Sequence, residues 1–148
     1  MIIETTHFGT IEINDETIIT FDYGIPGFED TRRYGIIMGD DKDSPFKWIQ
    51  SVEKSELAFA LVDPFSIRND YEFDIKDEYV SLLGIEDASK VMVLCIVVVP
   101  EDIKMISMNL KAPIIINTQN NKAAQIILDT DKYSVRHYIF EELSKQEV

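Results

Sequence analysis

Nine consecutive apolar residues, Val91 to Val99, end abruptly at Pro100. Five of the nine are Val, and Leu94 and Ile96 add two more large aliphatics. So short a run, dense in β-branched side chains, predicts a strand covered on both faces rather than a helix. Pro100-Glu101-Asp102 reads as a turn. After it, Ile106, Met108 and Leu110 alternate with Lys104, Ser107 and Asn109. Ala112-Pro113 then leads into a second β-branched run, Ile114 to Ile116, closed by Asn117. Two central strands are expected here, with the rest of the chain packed around them.

The flanking segments carry the same period of two. Ile11 and Ile13 alternate with Thr10 and Glu12, Asn14-Asp15 signals a turn, and Thr17 to Phe21 reads as the returning strand of a hairpin. In Tyr23-Gly24-Ile25-Pro26-Gly27-Phe28-Glu29, two glycines around a proline suit a chain reversal. Asp30 to Tyr34 suits one helical turn, Tyr34 to Met38 a strand, and Gly39 to Pro45 a solvated loop. Strands are expected at Phe46–Ser51 and Leu57–Val62, the latter ended by Asp63-Pro64 and a loop, because the residue before proline avoids the helical region. In Asp70 to Ile75, Tyr71, Phe73 and Ile75 point inward if the segment is extended, leaving Asp70, Glu72 and Asp74 in a row outside. Asp77 and Glu78 carry the acidity into a short helix whose Tyr79, Leu82 and Leu83 share a face, with Gly84 as its stop. Asn120-Asn121-Lys122 makes a turn, Ala124–Leu128 a strand, and the tail a strand to about Ile139 followed by a short helical or frayed polar end. The fold class expected is mainly β: a single compact β-barrel-like domain of antiparallel strands with one or two short helices.

Charge narrows the function. Fourteen Lys and Arg against 27 Asp and Glu leave a net charge of −13, which repels nucleic-acid phosphates and anionic lipid. Direct nucleic-acid or membrane binding is therefore not expected. Acidity of this size either serves solubility or steers a basic partner. No apolar run approaches the roughly 20 residues that span a bilayer, and the N-terminus lacks the basic start of a signal peptide. Cys95, the one cysteine, sits inside the most apolar run and reads as a buried reduced thiol. These features together point to the cytoplasm.

No constellation for catalysis emerges. His7 and His137 are the only histidines and neither has a Cys or second ligand at metal-binding spacing. Phosphate-loop and nucleophile-elbow patterns are absent from the sequence, so neither cofactor nor metal is expected. Carboxylate pairs do occur, so a small acid–base hydrolase stays open as an alternative, as does an acidic nucleic-acid mimic that inhibits some other basic protein.

The blocks HFGTIEI, FDYGIPGFED, FKWIQSVEKSELAFALVDPF, VVVPEDIKMISMNLKAPIIIN and QIILD, in that order from Phe8 to Asp129, resemble the FliW family of flagellar assembly factors. The resemblance implies one FliW-like domain over residues 1–148, least marked over 133–148, with a barrel-like β fold and no enzymatic activity. It also implies a monomer with two cytoplasmic partners: flagellin, and the small basic RNA-binding regulator CsrA. Bound to CsrA, such a protein relieves repression of flagellin mRNA. Accumulating flagellin then takes the factor away, and CsrA represses again. The acidic face would either cover the RNA-binding surface of CsrA or act from elsewhere, and the family's non-competitive behaviour favours the second. Asp70, Tyr71, Glu72, Asp74, Asp77 and Glu78 are the expected CsrA contacts, chosen for the acidic row. Met105, Met108, Asn109 and Leu110 are the expected flagellin contacts, because methionines repack readily against an amphipathic helix, although the same residues would serve as core filling.

Overall fold

The computed structural model describes residues 1–38 and 44–146. Its strands, in chain order, are β1 (Ile2–Thr5), β2 (Gly9–Glu12), β3 (Ile19–Phe21), β4 (Arg33–Met38), β5 (Phe46–Ser51), β6 (Ala58–Val62), β7 (Val91–Val98), β8 (Ser107–Met108), β9 (Ile114–Asn117), β10 (Lys122–Gln125) and β11 (His137–Tyr138). Three short α-helices accompany them, α1 (Pro64–Ile67), α2 (Asp77–Leu83) and α3 (Phe140–Gln146).

The apolar run becomes β7, and β7 has three partners. Its upstream half, Val91 to Leu94, pairs with β9, its downstream end, Val97 and Val98, pairs with β8, and Cys95 to Val97 pair with β6. Following the pairings from β7 through β6, β5, β4, β3, β10 and β9 returns to β7, so seven strands close a barrel. The ladders are antiparallel except between β3 and β10, where Lys122 and Ala123 run parallel to Thr20 and Phe21. The expected barrel of antiparallel strands thus carries one parallel seam, for a topological reason: an odd ring cannot alternate direction all the way round.

All seven ring strands contribute to one apolar cluster, which therefore fills the barrel interior. Phe21, Tyr34, Ile49, Leu61, Leu94, Ile114 and Ala123 belong to it. The opposite faces of several of the same strands form a second core outside the ring. There Val62, Cys95, Val97 and Ile115 meet Tyr71, Leu83, Met108, Leu110, Leu128, Tyr133 and Ile139. A strand buried on both sides is what the β-branched run of β7 required, and its end emerges at Val98, 60% exposed.

Several local expectations are revised. The partner of β2 is β1, not the Thr17–Phe21 segment, and this hairpin forms a sheet of its own. Its turn is held by Thr5 Oγ1, which accepts from Phe8 N and donates to Gly9 O. Residues 30–34 form no helical turn, because Arg32 and Arg33 donate their amides to Glu53 Oε1 and Tyr34 enters the β3–β4 ladder. Asp63-Pro64 opens α1 rather than a loop: Asp63 Oδ1 accepts from Phe65 N at 2.9 Å and proline occupies the first turn, where its missing N–H costs nothing. The strand expected at Ala124–Leu128 runs instead over Lys122–Gln125, and among the described residues three α-helices stand where one or two were expected. The glycine-proline reversal forms as expected. At Gly24, φ is +70° and a Cβ would lie 2.5 Å from Glu29 Cα, so only glycine fits without displacing the backbone. Most of the loop expected at 39–45 lies outside the described residues.

Candidate functional site

The acidic row stands on an extended ribbon between α1 and α2. Tyr71 is 3% exposed and its hydroxyl donates to Leu110 O at 2.6 Å. Its ring packs against Phe65, Phe73 and Tyr133, with centroids 5.8, 5.4 and 4.6 Å away. The Glu72 amide donates to Tyr133 Oη at 3.1 Å. Phe73 and Ile75 are half-buried against the outer core. With the inner residues pinned, alternation along the segment holds Glu72 and Asp74 in solvent, and Asp70 stands exposed in the turn before them.

The carboxylates of the row are not equivalent. Arg68 grips Asp70 with two hydrogen bonds, Nε to Oδ1 at 3.1 Å and Nη2 to Oδ2 at 2.9 Å, and this contact holds the Asp70 carboxyl below its usual range. Among the described residues neither Glu72 nor Asp74 has an ion-pair partner. Asp77 and Glu78 occupy the first turn of α2, where the backbone dipole favours acids, so a helix-start role suffices to explain them. Gly84 closes α2 in the left-handed conformation, as the sequence indicates.

The second expected surface divides between core and solvent. Met105 ends a 3-10 turn at Ile103–Met105 and is 48% exposed. Met108 and Leu110 are fully buried and fill the outer core, so only part of the expected surface is exposed. The cause is pairing on both edges: β8 lies between β7 and β11, while Leu110 N donates to Ser134 O. Asn109 is half-buried; its amide donates to Ile96 O and its side-chain Oδ1 accepts from Ala112 N. The exposed apolar side chains near Met105 in the chain are Val98, Val99 and Ile103, which the sequence reading passed over. Tyr133, expected in a tail strand, lies outside β11 and instead packs its ring against Tyr71 while its hydroxyl accepts from Glu72 N.

Elsewhere the chemistry is muted. Cys95 is buried and its thiol is pushed up to about 12 by burial. Among the described residues no three His, Cys, Asp or Glu side chains are placed to hold a metal ion. His137 Nε2 lies 3.5 Å from Glu142 Oε1, and His7 stands exposed in the β1–β2 turn. No helix among the described residues is long and apolar enough to cross a membrane.

The family model described as FliW protein matches residues 2–139. Across all 148 residues of both chains the sequence is 64% identical to the flagellar assembly factor FliW of Ruminiclostridium cellulolyticum. This chain belongs to the FliW family. A second FliW, from Alkaliphilus metalliredigens, is 49% identical over 99% of this chain and 91% of its own. A crystal structure of the flagellar assembly factor FliW superposes with a TM-score of 0.86 at 33% identity, covering 95% of this chain and 97% of the other. The family is one of flagellar assembly factors and not a known enzyme family. Its model ends at Ile139, so α3 lies beyond the matched part.

Proposed function

We propose that this FliW-family protein acts as a cytoplasmic, monomeric partner switch between flagellin and the RNA-binding regulator CsrA, antagonising CsrA non-competitively so that flagellin mRNA is translated. The carrying observation is the acidic row on a chain of net charge −13, with Glu72 and Asp74 exposed and unpaired among the described residues. Free carboxylates on a pinned backbone suit a basic protein surface, because little ordering entropy is lost when they meet a cation. Asp70, Glu72, Asp74, Asp77 and Glu78 form this contact, and buried Tyr71 holds the ribbon in position. Flagellin takes the apolar ledge led by exposed Met105, with half-buried Asn109 and buried Met108 and Leu110 following it in the chain. RNA approaching the complex meets the excess negative charge and is disfavoured without direct contact.

Titration calorimetry with purified CsrA and flagellin tests this reading. CsrA is expected to bind the wild-type chain, flagellin to displace it, and the Glu72→Lys/Asp74→Lys variant to lose at least tenfold in CsrA affinity while retaining flagellin. Absence of CsrA binding to the wild-type chain at moderate salt overturns the proposal.

A further inference from the structure

The ribbon that carries the acidic row alternates buried and exposed side chains as a strand does, yet among the described residues it belongs to no sheet. One of its edges is occupied, since Glu72 N donates to Tyr133 Oη. Successive peptide groups of an extended chain face opposite edges, so Phe73 and Ile75 present their N–H and C=O groups to the other side. Among the described residues those groups have no hydrogen-bond partner, whether in a ladder, a turn or a side chain. A cavity of about 510 Å³ adjoins the ribbon, bounded by Phe73 and Ile75 and, across it, by Val80, Ile85, Val91 and Val93. Glu72 and Asp74 also border it. A free strand edge, an apolar groove beside it and two unpaired carboxylates on the rim therefore converge on one segment.

From this juxtaposition we infer that the groove receives one extended segment of the basic partner as an added strand beside Phe73–Ile75. The inference rests on the proposed meeting of the acidic row with that partner, and names how it is met. Side chains of an added strand alternate in step with the strand it joins. Those directed inward meet Val91, Val93 and Ile85 and are apolar. Those directed outward lie beside Glu72 and Asp74 and are basic. The recognised segment is thus an alternation of cationic and aliphatic residues. Backbone pairing fixes its register, the groove contributes burial, and the carboxylates select charge.

The test uses a synthetic capped heptapeptide of alternating lysine and valine, titrated into the full chain and followed by backbone NMR. The expected result is slowed amide exchange at Phe73 and Ile75 with little change at Glu72, whose amide is already engaged. Two further peptides carry N-methyl groups on alternate backbone nitrogens, one on the lysines and one on the valines. One of the two is expected to bind at least tenfold more weakly and the other within about threefold, since only one set of amides faces the ribbon. Salt-dependent binding that is indifferent to both methylations overturns strand addition while leaving the acidic-row contact standing. No binding of the peptide, with CsrA itself still bound through Glu72 and Asp74, also overturns it. Loss of CsrA binding altogether is the separate failure of the proposed function.

Discussion

The ribbon Tyr71–Ile75 and the block Ile106–Leu110 share an apolar alternation and have opposite fates. In the ribbon, the residues between the apolar ones face water and one backbone edge is free. In the block, Ser107 is buried and Asn109 half-buried, and both edges of β8 are paired. Alternation selects which side chains point inward, but it does not say whether anything covers the outward ones. In the block, β11 and the 133–134 segment close over the strand; beside the ribbon, no strand lies alongside. The first segment is thus a surface on a pinned backbone and the second a piece of core with an exposed shoulder at Met105. Tyr71 joins them, since its hydroxyl reaches Leu110 O.

Substitutions that separate surface from core sharpen this contrast. The largest effect is expected from Met108→Glu, which places a charge in the outer core with no partner; a loss of more than about 4 kcal/mol, or failure to fold, should appear in urea unfolding. A stable, folded Met108→Glu would mean that the block is surface after all. Leu110→Ala leaves a cavity in the same core and is expected to cost roughly 2–5 kcal/mol. Tyr71→Phe removes the donor to the Leu110 carbonyl and should cost about 1–3 kcal/mol by the same measurement, the burial of that carbonyl deciding where in the range.

Alkaline titration probes the buried cores together. Cys95 is raised from 9.0 to about 12 and Tyr34 from 10.0 to about 12, both chiefly by burial. Between those values the unfolded chain binds fewer protons than the folded one, so stability is complete below pH about 9 and is lost as pH rises toward 12. Thermal unfolding should show a falling midpoint across that window, and Cys95→Ala should make the early part of the fall shallower. The smallest effects on stability belong to the surfaces: Met105→Glu, and Glu72→Lys with Asp74→Lys, are each expected to stay within about 0.5 kcal/mol. Their effects should appear in partner affinity alone, Met105→Glu weakening flagellin and the paired lysine variant weakening CsrA. A Met105→Glu protein that binds flagellin fully would remove the ledge from the proposed function.

Much of the ring was legible because its signals are local. The β-branched density of Val91–Val99 required a doubly covered strand, the Gly24–Gly27 reversal required positive φ, and Gly84 marked the end of α2. Family membership was legible too, because the blocks from Phe8 to Asp129 stand in order. The β2 partner is not legible, because Asn14-Asp15 is a good turn signal and nothing local reveals that Thr5 and Gly9 already close a hairpin upstream. Asp63-Pro64 was read as a loop because proline restrains the residue before it, whereas that restraint also suits a helix cap.

The sequence by itself determined the inward faces, the acidic character of the outward face at Asp70–Asp74, and the burial of Cys95, since each follows from period and composition within a few residues. The tertiary structure alone decided the rest. Closure of an odd ring made one pair parallel, and pairing on both edges of β8 sank Met108 and Leu110. Each of these depends on partners distant in the chain, and hydrogen bonds between distant segments leave no period in the residues that make them.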